Sequence, residues 1–261
     1  MRFVGVVPAR FASTRLPGKP LLQIAGKPLI QWVFESASQA RCLERILVAT
    51  DDERIYRTVI GFGGEAVMTR ADHQSGTDRV AEVAARVDAD VYINIQGDEP
   101  LIAGATIDAV CRPFLSDAEL LIATAKIRLH DPEEAAKPQV VKVVADAAGN
   151  ALYFSRSLIP FPRREPVVWY KHVGIYAYRR SFLLSLKNLQ PSQLEAVESL
   201  EQLRFLENGY AIKVVEVTEE SIGVDTPEDV ERVIPLLQNR KVDSSNAEHH
   251  QPGKSLNGME D

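Results

Sequence analysis

The sequence predicts an α/β fold in which a mostly parallel sheet carries helices on both faces. Short apolar runs alternate with helix-period segments through about the first 130 residues, the pattern of successive β-α-β units. Three of those runs end in charged residues, at Arg10, Asp51 and Asp98. Parallel sheets bind ligands beyond the carboxyl ends of their strands, so these three should converge. After the run Leu120–Leu129 the alternation stops and a hairpin pattern begins.

Taken in order, Phe3 to Val7 reads as a buried strand ended by Pro8, which has no N–H for a sheet ladder. Pro28 suits the first turn of a helix whose Leu29, Ile30, Val33, Phe34 and Ala37 recur at helical spacing. Arg45–Thr50 is the second strand. The next helix face is Ile55, Tyr56, Val59 and Ile60, stopped by Gly61, Gly63 and Gly64. Glu65–Met68 gives a third strand. Ser75 followed by Asp78 resembles a capping box and opens a helix that buries Val80, Val83, Ala84 and Val87. Asp90–Gln96 is the fourth strand. Ile107, Val110, Cys111 and Phe114 mark another helix, and Leu120–Leu129 a long strand.

Val140–Asp146 and Ala151–Ser155 are strands split by the turn signal Ala148-Gly149-Asn150. His172–Tyr178 is a further strand, with His172 and Tyr176 on one face. Pro191 leads into a helix carrying Leu194, Val197, Leu200 and Leu203. In it Glu201 interrupts the row Val197, Glu201, Phe205, so its carboxylate pairs with a cation or faces a cavity. After the strand Ala211–Val217, Thr226 is an N-cap with Pro227 at the first helical position. Helix-start chemistry does not account for Asp225, which lies just before the cap and is placed to reach a ligand. Residues 1–240 thus read as one domain, and the polar stretch 241–261 as a disordered tail.

Composition narrows the function. Hydrophobic residues make up 45% and charged residues 25%, with a net charge of −6 from 30 basic and 36 acidic side chains. An acidic balance argues against a nucleic-acid binder. No apolar segment is long enough to span a membrane, and no signal-peptide pattern opens the chain, so a cytoplasmic protein is expected. The two cysteines, Cys42 and Cys111, form no C-x-x-C pair, so neither zinc nor a disulfide framework is expected.

The cations are local instead. The loop after the first strand delivers Arg10, Arg15 and Lys19 within ten positions, an anion site suited to a polyphosphate. Neither a G-x-x-x-x-G-K-[ST] loop nor a G-x-G-x-x-G fingerprint occurs. The fourth strand runs into Gly97-Asp98-Glu99-Pro100, carboxylates placed to hold a hard cation. Arg79 lies in the first turn of its helix, where a cation opposes the macrodipole.

As a set, PARFASTRLPGKPL (8–21), ATDD (49–52), TRADHQSGTDR (69–79), NIQGDEP (94–100), ALYFSR (151–156), HVGIY (172–176), LEQLR (200–204) and GVDTPED (223–229) resemble the 3-deoxy-manno-octulosonate cytidylyltransferase family, the CMP-Kdo synthetases of lipopolysaccharide biosynthesis. The likeness covers about residues 2–239. It implies the three-layer nucleotide-diphosphosugar transferase fold, with an inserted hairpin region at about 135–190 that makes a homodimer. It implies that CTP and 3-deoxy-D-manno-octulosonate (Kdo) give CMP-Kdo and pyrophosphate with Mg²⁺. The sugar's anomeric hydroxyl would displace pyrophosphate directly, with Arg10, Lys19, Asp98 and Asp225 catalytic. Arg10, Arg15 and Lys19, with Pro8 and Ala9, match the triphosphate positions, and Gln96 and Ser75 to Arg79 those around the cytidine. Asp98 and Asp225 match the metal ligands. Arg156, His172, Tyr176, Glu201 and Gln202 match the sugar-acid site. The alternatives are a cytidylyltransferase for another acidic sugar, of the sialic acid or 8-amino-Kdo type, and a non-catalytic nucleotide-binding protein.

Overall fold

The fold is known from a computed structural model, which describes residues 1–12 and 16–248. The first half is built as the alternation predicts. Strand β1 (Phe3–Ala9) is followed by the short pair β2 (Gln23–Ile24) and β3 (Lys27–Pro28), then helix α1 (Leu29–Ala37). Next come β4 (Leu43–Thr50), α2 (Glu53–Gly61), β5 (Glu65–Met68), α3 (Gly76–Arg86), β6 (Val91–Asn94), α4 (Gly104–Ser116) and β7 (Ile122–Leu129). The second half comprises α5 (Pro132–Ala136), the hairpin β8 (Lys142–Ala145) and β9 (Ala151–Ser155), and the long β10 (Trp169–Arg179). It continues through α6 (Arg180–Ser185), α7 (Gln193–Glu198), α8 (Gln202–Glu207), β11 (Lys213–Val217) and α9 (Pro227–Glu248).

Among the described residues one nine-stranded sheet has the main order β11-β7-β10-β6-β1-β4-β5, with β8 attached to β10 and β9 to β8. Neighbours pair in parallel from β6 to β5, and β11 is parallel to β7. Only β10 runs against the others along this path, antiparallel to both β6 and β7. Alternation along β1 makes the three layers. Phe3 and Val7 pack under α1, α2 and α4, whereas Val4 and Val6 face α3, α6 and α8. A smaller cluster, with Leu29, Trp32, Val224, Val233 and Leu237, docks α9 on α1. Among the described residues no helix is long and apolar enough to cross a membrane.

Three expectations are corrected. Strand β1 does not stop at Pro8: Pro8 and Ala9 stay in register with Ala49 and Thr50 of β4. Its pairing with β6 ends at Val6, so the missing N–H sits where no ladder bond is required. The segment after Pro191 is not one helix. Ser199 adopts the left-handed conformation (φ 52°) and separates α7 from α8. This break buries Leu200 and places Glu201 at the start of α8, so Val197, Glu201 and Phe205 share no ridge. Finally, α9 runs eight residues past the expected domain end, to Glu248, because neither proline nor glycine interrupts 241–248. The rest of the expected tail lies outside the described residues.

Candidate active site

The loop after β1 turns back at Gly18, whose φ of 69° favours glycine and whose missing Cβ leaves room for the Phe11 ring. That turn starts a short 3₁₀ segment at Lys19 and aims its side chain across the strand ends. From β6, the bend at Gly97 lies against the Pro8 carbonyl, which a Cβ would approach to 2.7 Å. Asp98 follows directly. From the far end of the chain, the Val224 N–H donates to the Asp98 carbonyl at 2.8 Å, and Asp225 comes next. Asp229 locks this arrival: its carboxylate accepts from the N–H groups of Asp225 and Thr226, and Thr226 Oγ1 accepts from the Asp229 N–H, closing the cap on α9.

These contacts bring together two carboxylates 127 positions apart in sequence. Lys19 Nζ donates to Asp98 Oδ2 at 2.7 Å and to Asp225 Oδ1 at 3.0 Å. Burial opposes the Lys19 charge, but the two carboxylates outweigh it and raise its pKa. Around this triad opens a cavity of about 320 Å³, lined by Pro8, Ala9, Arg10, Lys19, Ser75, Arg79, Gln96, Asp98 and Asp225. Of the described residues assigned from sequence to the nucleotide or the metal, all but Thr77 and Asp78 of the Ser75–Arg79 segment are on that wall; Arg15 lies outside the described residues. Sequence reasoning missed Pro20, His73, Gln74 and Gly97, which line it too.

The wall is rigid. Ser75 caps α3 in a full capping box with Asp78, as expected. Arg79 is buried, and its guanidinium reaches Thr69 and, at 3.1 Å, Asp51. Asp51 thus serves the cavity by holding Arg79. Gln96 Nε2 donates to the Gly174 carbonyl at 2.9 Å, where β10 slips register against β7. Beside Asp98, Glu99 is pushed up to about 7 by burial and by the Asp98 charge.

The five residues assigned to the sugar acid do not line this cavity, and four of them form a second cluster next to it. Thr77, one residue beyond the cavity wall, donates its hydroxyl to Glu201. Burial raises the Glu201 pKa against that bond. Tyr176 OH, Gln202 Nε2 and Asn94 Oδ1 are buried without a hydrogen-bond partner among the described residues. Three orphaned polar atoms in one protein patch are costly unless something polar arrives to meet them. The His172 ring lies 5.4 Å from that of Tyr176, with Nε2 3.1 Å from Thr124 Oγ1, and burial pushes its pKa down to about 3. Imidazole there is neutral. Arg156 stands apart. Its Nε donates to the Glu198 carbonyl at 2.7 Å, and its other nitrogens reach the carbonyls of Pro138 and Ser199. The guanidinium therefore fixes the α7–α8 break that presents Glu201. Asn94 was not assigned from sequence, an asparagine inside the apolar run VYINI being the available signal, and Thr77, expected around the cytidine with the Ser75–Arg79 segment, bonds Glu201 instead.

A family model described as cytidylyltransferase matches residues 4–221. The 3-deoxy-manno-octulosonate cytidylyltransferase of Solibacter usitatus (strain Ellin6076) is 54% identical over 91% of this chain and 95% of its own length. The enzyme of the same name from Geobacter metallireducens is 49% identical over 91% and 98%. A solved structure of CMP:2-keto-3-deoxy-manno-octonic acid synthetase complexed with CTP superposes with a TM-score of 0.89 at 48% identity, covering 92% of this chain and 100% of that one.

Proposed function

Because the chain belongs to the cytidylyltransferase family, we propose that it transfers CMP from CTP to Kdo and releases pyrophosphate. Kdo is the sugar that it activates, and CTP is the nucleotide donor. The product feeds lipopolysaccharide synthesis, and the reaction is placed in the cytoplasm.

One observation carries the reading of the site: Asp98 and Asp225, 127 positions apart in sequence, hold the same ammonium of Lys19. Two convergent carboxylates suit Mg²⁺, which takes one or two protein ligands and fills the rest from phosphate and water. Among the described residues no larger cluster of ligating side chains competes for an ion. Bound there, Mg²⁺ would neutralise phosphate charge as a Lewis acid.

The chain's own groups do the remaining work. Arg10 and Lys19 supply positive charge to the phosphates and to the departing pyrophosphate, in a cavity walled by low-dielectric protein. The Ser75–Gly76 turn and Gln96 bound the nucleotide. Glu201, Gln202 and Tyr176 accept and donate to the sugar's hydroxyls, and neutral His172 orients Tyr176. Arg156 organises that shell through its carbonyl contacts. With the sugar held, its anomeric hydroxyl attacks the α-phosphorus and gives up its proton to water, and the α–β bridging oxygen leaves with pyrophosphate. Positioning and charge stabilisation account for the rate, and no enzyme nucleophile is required.

A homodimer through the 135–190 region is part of this reading. It is supported by Phe161 and Leu152, large apolar side chains left exposed there.

The test is pyrophosphate release from CTP and Kdo, with and without Mg²⁺, in the native protein and in Asp98→Asn. Release that requires Kdo and Mg²⁺ and falls about 10²-fold or more in the variant is expected. No release from the native protein with Kdo overturns the activity; normal turnover in Asp98→Asn overturns the site.

A further inference from the structure

The two thiols that the mechanism leaves unused lie side by side. Cys42 Sγ is 3.0 Å from Cys111 Sγ, closer than two unbonded sulfurs sit at rest, although 69 positions separate them in sequence. The contact is built by the backbone on both sides. Gly104, Asp108 and Cys111 recur at i, i+4 and i+7 on one face of α4. The chain between α1 and β4 lies along that face. A Cβ on Gly104 would come within 2.6 Å of the Gln39 carbonyl, so helix and turn touch there. One turn further, Asp108 Oδ1 accepts from the N–H groups of Arg41 and Cys42, both at 2.9 Å. At the third point Cys42 meets Cys111. The turn is thus clamped upstream of the sulfurs, and little chain movement separates contact from bond.

The two sulfurs are also unequal. Cys111 is buried, and its neighbouring sulfur and burial hold its thiol protonated well above the ordinary range. Cys42 is half-buried and reachable from solvent. None of these residues lines the active cavity.

We propose that Cys42 and Cys111 form a reversible oxidation site, at which a peroxide converts the pair into an internal disulfide without disturbing the active cleft. In the first step the Cys42 thiolate attacks one oxygen of hydrogen peroxide. The O–O bond breaks, Cys42 becomes a sulfenic acid, and the departing hydroxide takes the released proton to become water. In the second step the Cys111 sulfur attacks the Cys42 sulfur. The S–S bond forms, the S–O bond breaks, and the Cys111 proton leaves with the hydroxide as a second water. Two thiols lose two electrons and two protons, and one peroxide becomes two waters. A dithiol reductant reverses the bond by exchange. Because Cys111 resolves the sulfenic acid within the same molecule, oxidation of Cys42 stops at a reducible level.

The test uses the full chain, reduced, desalted and exposed to hydrogen peroxide. The readouts are maleimide titration after denaturation, peptide mapping without reductant, and pyrophosphate release from CTP and Kdo. Expected are two thiols falling to none, one linked peptide pair containing Cys42 and Cys111, full reversal by dithiothreitol, and turnover within about twofold of the untreated protein. In Cys42→Ser the linked pair is absent and Cys111 keeps its thiol; in Cys111→Ala, Cys42 advances to sulfinic acid. Unreacted thiols, a disulfide between two chains, or sulfinic acid at Cys42 in the native protein each overturn the proposal, and loss of turnover on oxidation overturns its second clause. If pyrophosphate release is absent before oxidation, the activity reading fails and the thiol and peptide measurements still decide this one.

Discussion

Tyr176 shows what one buried atom can say. Among the described residues its hydroxyl has no partner in good hydrogen-bond geometry, Thr124 being the nearby hydroxyl, and burial with the Glu201 charge raises its pKa well above that of a free phenol. A buried hydroxyl that the fold leaves unmet costs stability, so removing it should not lower stability. Tyr176→Phe is expected to hold or raise stability, by up to about 1 kcal/mol, while raising the KM for Kdo several-fold, read from a denaturant melt and from sugar titrations. A clear loss of stability with KM unchanged would make the hydroxyl structural. His172 gives a second prediction. Its pKa is about 3 in the folded protein against 6.5 when free. Between those values the unfolded chain binds a proton that the native state refuses, so stability rises with pH across that window. Stability should be complete above about 6.5 and erode as the pH falls toward about 3; His172→Gln should flatten that slope in melts run from pH 3 to 7. At this scale the sequence was generous with charged groups and silent on neutral ones. Arg10, Lys19, Asp98 and Asp225 announce themselves by charge at strand and helix ends. Asn94 looks like an ordinary interior residue until Tyr176 is placed beside it, and nothing in the sequence pairs Thr77 with Glu201.

Helix and strand periodicity located most elements, and the misses have local causes. Pro8 reads as a strand end because the rule concerns the N–H, whereas the β6 neighbour that would need it has already stopped. The α7–α8 break was hidden because Leu194, Val197, Leu200 and Leu203 keep helical spacing straight through it. Only Ser199, left-handed without being glycine, departs from the pattern, and serine carries no sequence signal for that conformation. The strain predicts a directional result. Ser199→Gly should hold or raise stability, by up to about 1 kcal/mol, whereas Ser199→Val should lower it by about 1–2 kcal/mol in urea titrations. Equal stabilities would mean that this turn is not left-handed in solution.

Across the whole molecule, the sheet explains why distant motifs meet. Strands β4, β1 and β6 point their carboxyl ends the same way, so Arg10, Asp51 and Asp98 arrive at one rim as the alternation foretold. The strand at His172–Tyr178 was legible, but its place in the sheet was not. Reversed between β6 and β7, β10 places its register slip next to Gln96 and links the Lys19 cavity to the Glu201 cluster. Assembly belongs to this scale too. Phe161 is 80% exposed and Val197, on the neighbouring α7, 77%. Light scattering behind size exclusion should give a dimer for the native chain and a monomer for Phe161→Ser with Val197→Asp; a native monomer would discard the interface.

Lys19 also bears on how the cleft is kept when nothing occupies it. Two aspartates facing one another would push the loop after β6 and the start of α9 apart, but with the ammonium between them the trio carries one negative charge in place of two. On the proposed reading, folding and loading would thereby be separate events: the acids are already drawn together, and an ion bound there would inherit a finished socket in exchange for a displaced side chain.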